Sequence, residues 1–198
     1  MTDKRLTFWF DFASTYSYLS AHRIEAAALA HDVAVTWRPM LLGPIFKAQG
    51  WESSPFNLYP LKGAYMWRDM ERRCAEAGLR LVRPDPFPQN SLMAARVALA
   101  ALEDDRGPAF CKAVFAAAFS DGRDISDPAT LRLALERAGL DPALVDRAQD
   151  PEIKQKLIGQ GEEVAGLGLF GAPSFTVGDE LFWGDDRLDQ AMDWAARM

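Results

Sequence analysis

What most constrains this chain is where its strand-like stretches fall: they lie near the two ends, with a long run of helical patterns between them. Leu6 to Phe12 is dense in aromatic and β-favouring residues and reads as a buried strand ending near Asp11. From Tyr16 to His31, Leu19, Ile24, Ala28 and Leu29 recur at helical spacing, and Ser14, Thr15 or Ser17 can cap the start. Val33 to Trp37 reads as a second strand. A strand, helix, strand run this short implies parallel pairing through a right-handed crossover.

After Pro39 a loop rich in glycine and proline is expected to run to Pro60, and helical patterns then extend to about Gly166. Lys62 to Gly78, Gln89 to Asp104 and Pro108 to Ser120 supply three helices. Asp127-Pro128, Asp141-Pro142 and Asp150-Pro151 each place a capping acid before a proline suited to the first helical turn, and Gly139 is placed to stop the helix that begins at Asp127. The strand signal returns at Pro173 to Val177. Gly178-Asp179 then makes a tight turn into a partner strand, Glu180 to Trp183. An amphipathic helix from Asp186 to Arg197 closes the chain, with Leu188, Ala191, Met192 and Ala195 on one face. The order βαβ, helical insertion, ββα predicts an α/β, thioredoxin-like sheet with a large all-helical insertion. Residues 1–40 plus 167–198 form the first domain in this reading, and 41–166 form the insertion.

At 198 residues, 49% of them hydrophobic, the chain can bury a substantial core. A formal charge of -6 with no dense basic stripe argues against a nucleic-acid partner. The opening residues Met1 to Phe12 superficially suggest a signal peptide, but the apolar run is short and broken by Asp11, so a strand is the better reading. No stretch approaches the roughly 20 apolar residues of a membrane span. Two cysteines, Cys74 and Cys111, make no disulfide framework; they read as buried small hydrophobes, and a reducing cytoplasm fits them.

In this element order the chemistry belongs at the start of the first helix, where orphan N–H groups and a partial positive charge favour an anion. Redox members of the fold carry C-x-x-C there. This chain has Ser14-Thr15-Tyr16-Ser17, so dithiol exchange is excluded at the position. Taken alone, helix capping is the stronger account of a serine at such a place. A hydrolase nucleophile needs a base within reach, yet His22 lies eight positions along the same helix, about 12 Å away, and His31 is further still. Both histidines read as solvated surface residues. No zinc or nucleophile-elbow motif occurs, and no metal is expected. Gly171-Ala172-Pro173 precedes the third strand, and the element order favours a cis bond before Pro173.

Phe10-Asp11-Phe12-Ala13-Ser14 with Tyr16-Ser17-Tyr18, Lys62-Gly63-Ala64-Tyr65, Phe170-Gly171-Ala172-Pro173 and Trp183-Gly184-Asp185-Asp186-Arg187 together resemble 2-hydroxychromene-2-carboxylate isomerases and, more distantly, kappa-class glutathione transferases. The resemblance covers almost the whole chain. It implies glutathione as cofactor, its thiol held near Ser14, with Ala172 pairing its backbone to the cysteinyl part through a cis-Pro173 turn. Trp183 and Gly184 belong to the same implied cofactor site, Asp185 and Asp186 would receive the γ-glutamyl ammonium, and Lys62 would answer a ligand anion. Lys47, Asn57, Leu58 and Asn90 are the matching substrate positions, suited to a small aromatic carboxylate. Glu52-Ser53 departs from the amide or threonine pair expected in close relatives. The resemblance further implies reversible thiol addition that interconverts 2-hydroxychromene-2-carboxylate and trans-o-hydroxybenzylidenepyruvate, in a homodimeric enzyme. A kappa-like transferase or peroxidase shares every glutathione contact, and a non-catalytic thioredoxin-like binding module needs none of them.

Overall fold

The computed structural model describes residues 4–198; the beginning of the Met1 to Phe12 stretch considered above lies outside them. Four strands form one mixed sheet: β1 (Arg5–Phe10), β2 (Ala34–Pro39), β3 (Ser174–Val177) and β4 (Glu180–Trp183), in the order β2-β1-β3-β4. β1 runs parallel to β2 with Phe8 opposite Trp37, and antiparallel to β3 with Phe8 opposite Phe175. β3 and β4 form the terminal hairpin, turning at Gly178, whose φ of 57° lies in the left-handed region. Both ends of the chain therefore build one sheet.

β1 reads as an almost unbroken apolar run because both its faces are covered. Leu6, Phe8 and Phe10 enter the main core with Phe12, Phe115 and Phe175, whereas Trp9 points the other way into a smaller cluster with Met40, Val164 and Leu169. The rings of Phe8 and Phe175 stack at 5.5 Å, and Phe12 meets Phe115 at 5.0 Å. The helix α1 (Thr15–His31) crosses from β1 to β2 and buries Tyr18, Leu19, Ala21 and Ile24. It ends where Asp32, at φ 54°, turns its N–H back onto Ala28 and Leu29.

The segment expected to be a loop from Pro39 to Pro60 contains two short helices, α2 (Leu42–Ala48) and α3 (Pro55–Leu58). The N-cap of α2 is Leu41, whose side chain cannot cap; the carboxylate of Asp11, 31 residues away in sequence, bonds the Leu42 N–H instead. A local pattern search has no access to such a partner. The insertion continues with α4 (Pro60–Glu76), α5 (Leu92–Ala101), α6 (Gly107–Phe119), α7 (Pro128–Arg137), a 3-10 run at Pro142–Gln149 and α8 (Pro151–Gly166). Asp127 and Asp141 accept from the N–H groups of Ala129 and Ala143 as capping residues do, but Asp150 makes no such bond. Gly139 follows α7 at φ 73°. The last helix begins as a 3-10 turn, Asp185–Arg187, before α9 (Leu188–Ala196) buries Leu188, Ala191, Met192 and Ala195. No helix among the described residues is long and apolar enough to cross a membrane.

Candidate active site

Ser14 stands at the N-cap of α1 in extended conformation, its Oγ accepting the Ser17 N–H at 3.2 Å. Capping uses one lone pair of the hydroxyl; its proton is donated across the fold to the Ala172 carbonyl at 3.0 Å. Ala172 and Pro173 are joined by a cis peptide and lead into β3. The hydroxyl thus ties the first helix to the start of the third strand, a link between residues 158 positions apart. Ser14 is 7% exposed, and that exposed edge faces a cavity.

The cavity holds about 870 Å³, in the upper part of the roughly 300–1,000 Å³ range of small-molecule sites. One end is the β1–α1 turn from Asp11 to Tyr16 with Gly171, Ala172 and Trp183. The other is walled by Leu42 and Phe46 of α2, Trp51, Phe56 of α3 and the Phe87–Pro88 turn. Phe170 and Trp183 meet edge to face at 4.9 Å beside the Ser14 end, and Gly171 lies so close under Trp183 that any Cβ there would strike the indole. Charged side chains among the lining residues are Asp11, Glu52 and Lys62.

The tyrosine after Ser14-Thr15 also lines the cavity. Tyr16 donates its hydroxyl to Asp69 Oδ2 at 3.0 Å, and burial together with the Asp69 charge holds its ionisation well above the ordinary tyrosine value. It is a fixed hydrogen-bond donor, not a base. At the floor, Asp11 is 2% exposed; burial pushes its carboxyl up against the opposing pull of N–H donors from Ala13 and Leu42. Neither Tyr16 nor Asp11 stood out in the sequence as a site residue. Their proximity to Ser14 was the available signal, and the partners that give them meaning come from α4 and α2.

The residues expected at the site divide. Ser14, Lys62, Ala172, Trp183, Asn57 and Asn90 line the cavity; Lys47, Leu58, Pro173, Gly184, Asp185 and Asp186 do not. Lys47 lies exposed on α2 and Leu58 closes α3 from outside. Lys62 sits in the first turn of α4 with its Nζ 4.7 Å over the Tyr59 ring. Asn57 Nδ2 donates to Phe87 O at 2.9 Å and to Ser53 Oγ at 3.2 Å, while Asn90 Oδ1 takes the Leu92 N–H at 3.0 Å. Both amides shape the wall as well as facing the cavity.

Asp185 requires a correction. Its carboxylate is 1% exposed and already satisfied: Ser20 Oγ donates to Oδ1 at 2.6 Å, and Arg23 and Arg73 both pair with Oδ2. Two guanidinium groups and a hydroxyl leave it no exposed edge for a ligand ammonium. Asp186 beside it is exposed, 3.6 Å from the Arg187 guanidinium. The histidines also differ from a plain surface reading, since His31 bonds Ala27 O and lies 3.2 Å from Asp193, although His22 is exposed. Cys74 and Cys111 are buried and unpaired, and burial pushes the Cys74 thiol up to about 11. No group of three or more acidic, histidine or cysteine side chains suited to a metal exists among the described residues.

A β2-β1-β3-β4 sheet with a serine-capped helix facing the start of β3 is the arrangement of a thioredoxin domain, and the chain belongs to the DSBA-like thioredoxin domain family, which matches residues 5–193. Within that class it stands with the 2-hydroxychromene-2-carboxylate isomerases. It is 32% identical over 194 residues to 2-hydroxychromene-2-carboxylate isomerase from Sphingobium xenophagum, covering 94% of this chain and 95% of that one. It is 25% identical to the enzyme of the same name from Pseudomonas sp. (strain C18), over 91% of this chain and 85% of that one. The solved structure of a 2-hydroxychromene-2-carboxylate isomerase superposes with a TM-score of 0.85 at 24% identity, covering 98% and 95% of the two chains, and so shares the fold.

Proposed function

We propose that this isomerase-family chain is a glutathione-dependent isomerase acting on an aromatic hydroxychromene carboxylate, converting 2-hydroxychromene-2-carboxylate to trans-o-hydroxybenzylidenepyruvate. The observation that carries the reading is the Ser14 hydroxyl: it occupies the anion-favouring end of α1, faces a cavity large enough for two ligands, and cannot itself form a disulfide. Bound glutathione would supply a thiolate as a reversible nucleophile toward an electrophilic carbon. Ser14 turns its proton from the Ala172 carbonyl toward the sulfur, and together with the α1 N-terminus it favours the ionised form over the free thiol. Ala172, joined by its cis bond to Pro173, offers main-chain contacts at the strand start beside Trp183, with Gly184 held behind it by the Pro173 carbonyl. Lys62 is the cation available to a carboxylate. Asp186, exposed beside the buried Asp185 and outside the cavity lining, is the acid we assign to the ammonium. Asn57 and Asn90 offer amides to the aromatic carboxylate, and Phe46, Trp51 and Phe56 cover its ring.

The position of Lys47 and Leu58 outside the cavity favours a second reading on the substrate side. With Lys62 the cavity's one lining cation among the described residues, an uncharged aromatic electrophile would also fit, and the chain would then conjugate glutathione as a transferase does. Product analysis separates the two: an isomerase returns all of its glutathione, whereas a transferase consumes it. Calorimetry with reduced glutathione comes first. Saturable binding, followed by glutathione-stimulated isomerisation, is the expected outcome; a folded protein that binds no glutathione refutes both readings. The same family reading carries a homodimer acting in the reducing cytoplasm, and sedimentation at micromolar protein tests the dimer.

A further inference from the structure

Asp11 does something in this cavity that no single segment can do for itself. It follows β1 directly, and its polar groups hold two different walls. The main-chain carbonyl accepts the Ser14 N–H at 2.9 Å. Oδ1 accepts the Ala13 N–H at 2.8 Å, so the two successive N–H groups of Ala13 and Ser14 are both held by Asp11. Oδ2 accepts the N–H of Leu42, the first residue of α2, at 2.7 Å, and the Ser91 side chain ahead of α5 favours the charged form of the same carboxylate. The Ser14 turn, α2 and the Ser91 segment all line the cavity.

The α2 wall needs such a tether. None of its residues is fully buried, its N-cap Leu41 offers no side-chain acceptor, and Leu42 and Ile45 only partly enter the cluster around Trp9 and Met40. A carboxylate suits the task because it accepts on both oxygens at once. An amide of the same shape accepts on one and must present N–H to N–H at the other.

We propose that Asp11 is a positioning residue that sets the distance between the Ser14 hydroxyl and the α2 wall, and thereby the alignment of the aromatic substrate with the sulfur. This rests on the glutathione-isomerase reading. Oδ1 fixes the chemical end and Oδ2 fixes the substrate end, so the two arms have separable consequences. Misplacement of reacting groups by about 1 Å can cost on the order of a hundred-fold in rate. A residue that merely stabilises the fold leaves the kinetic constants of the folded fraction unchanged.

The experiment compares wild type, Asp11→Asn, Leu42→Pro and Leu42→Ala, using glutathione calorimetry and steady-state isomerisation normalised to folded protein. Proline is accepted in a first helical turn and removes the N–H that meets Oδ2. Leu42→Ala shortens the same side chain but keeps that N–H, so the difference between the two Leu42 variants reads the tether alone. The expected result for Asp11→Asn is roughly a ten- to hundred-fold loss of kcat/KM with a lower kcat. For Leu42→Pro relative to Leu42→Ala, a several-fold higher KM for the aromatic substrate is expected, with glutathione affinity unchanged. If Asp11→Asn does not fold, the Leu42 pair decides by itself. Wild-type binding and turnover with kinetic constants unmoved in the folded variants overturns the positioning role. No glutathione binding by the wild type removes instead the functional reading beneath it.

Discussion

The two ends of the cavity are built in different ways. At the Ser14 end, residues come from β1, α1 and the start of β3, packed on the aromatic core and joined by hydrogen bonds that span most of the chain. At the other end, α2 and α3 contain no fully buried residue, and the wall hangs on a few polar contacts such as Asn57 to Phe87 and Leu42 to Asp11. The contrast teaches how one fold can hold a chemical step constant and still vary its substrate. Precise placement of a hydroxyl calls for a rigid surround, while a lightly attached wall tolerates sequence change.

The strongest challenge to this contrast is Ser14→Ala. On the proposed chemistry, activity falls by about a hundred-fold or more, because a donor to a developing or resting anion is lost. Stability falls by only about 1 kcal/mol, the usual cost of a lost N-cap. Thermal denaturation alongside turnover checks both; a large stability loss with activity intact would mean that Ser14 is a cap and no more. Next in size is Asp185→Ala, which leaves Arg23 and Arg73 facing one another without their shared carboxylate. Removing one partner of a fully buried pair costs about 3–5 kcal/mol; the arginines left here are partly exposed, so a smaller but clear fall in denaturation midpoint is expected. A stable variant with weakened glutathione binding would instead return Asp185 to the ligand site.

Asn57→Ala tests the lightly held end. Loss of its bonds to Phe87 O and Ser53 loosens the α3 wall, and a several-fold rise in KM for the aromatic substrate is expected while glutathione affinity stays within a factor of two or so. Equal loss of both affinities would show that the ends are not independent. The smallest effect is expected at the cysteines. Cys74 and Cys111 are buried, and burial disfavours both thiolates, so a thiol reagent finds almost nothing to react with in native protein and two thiols after denaturation. Rapid native labelling would contradict the separation of this chain from dithiol chemistry.

Much of the framework was legible before any coordinates. β1, α1, β2 and the terminal hairpin stand within a few residues of where periodicity and turn chemistry put them, because aromatic runs, a serine cap and Gly178 are local signals. The buried face of α9 is the set Leu188, Ala191, Met192 and Ala195 read from spacing alone. α2 was not legible, since its start is stabilised by Asp11 from another segment. Asp185 was misplaced for a related reason. Two adjacent acids look alike in sequence, and only the approach of Ser20, Arg23 and Arg73 from α1 and α4 makes one of them internal.

The sequence by itself determined the thioredoxin-like order of elements and the serine in place of a thiol at the head of the first helix, and it named some of the residues that line the cavity. Those follow from period, cap and composition, which act over a few neighbours. The tertiary structure decided which of the candidates share a cavity, which acid is buried under arginines, and how Asp11 joins Ser14 to α2. Such relations depend on groups 31 to 165 positions apart arriving within hydrogen-bond distance, and only the packed chain specifies that arrival.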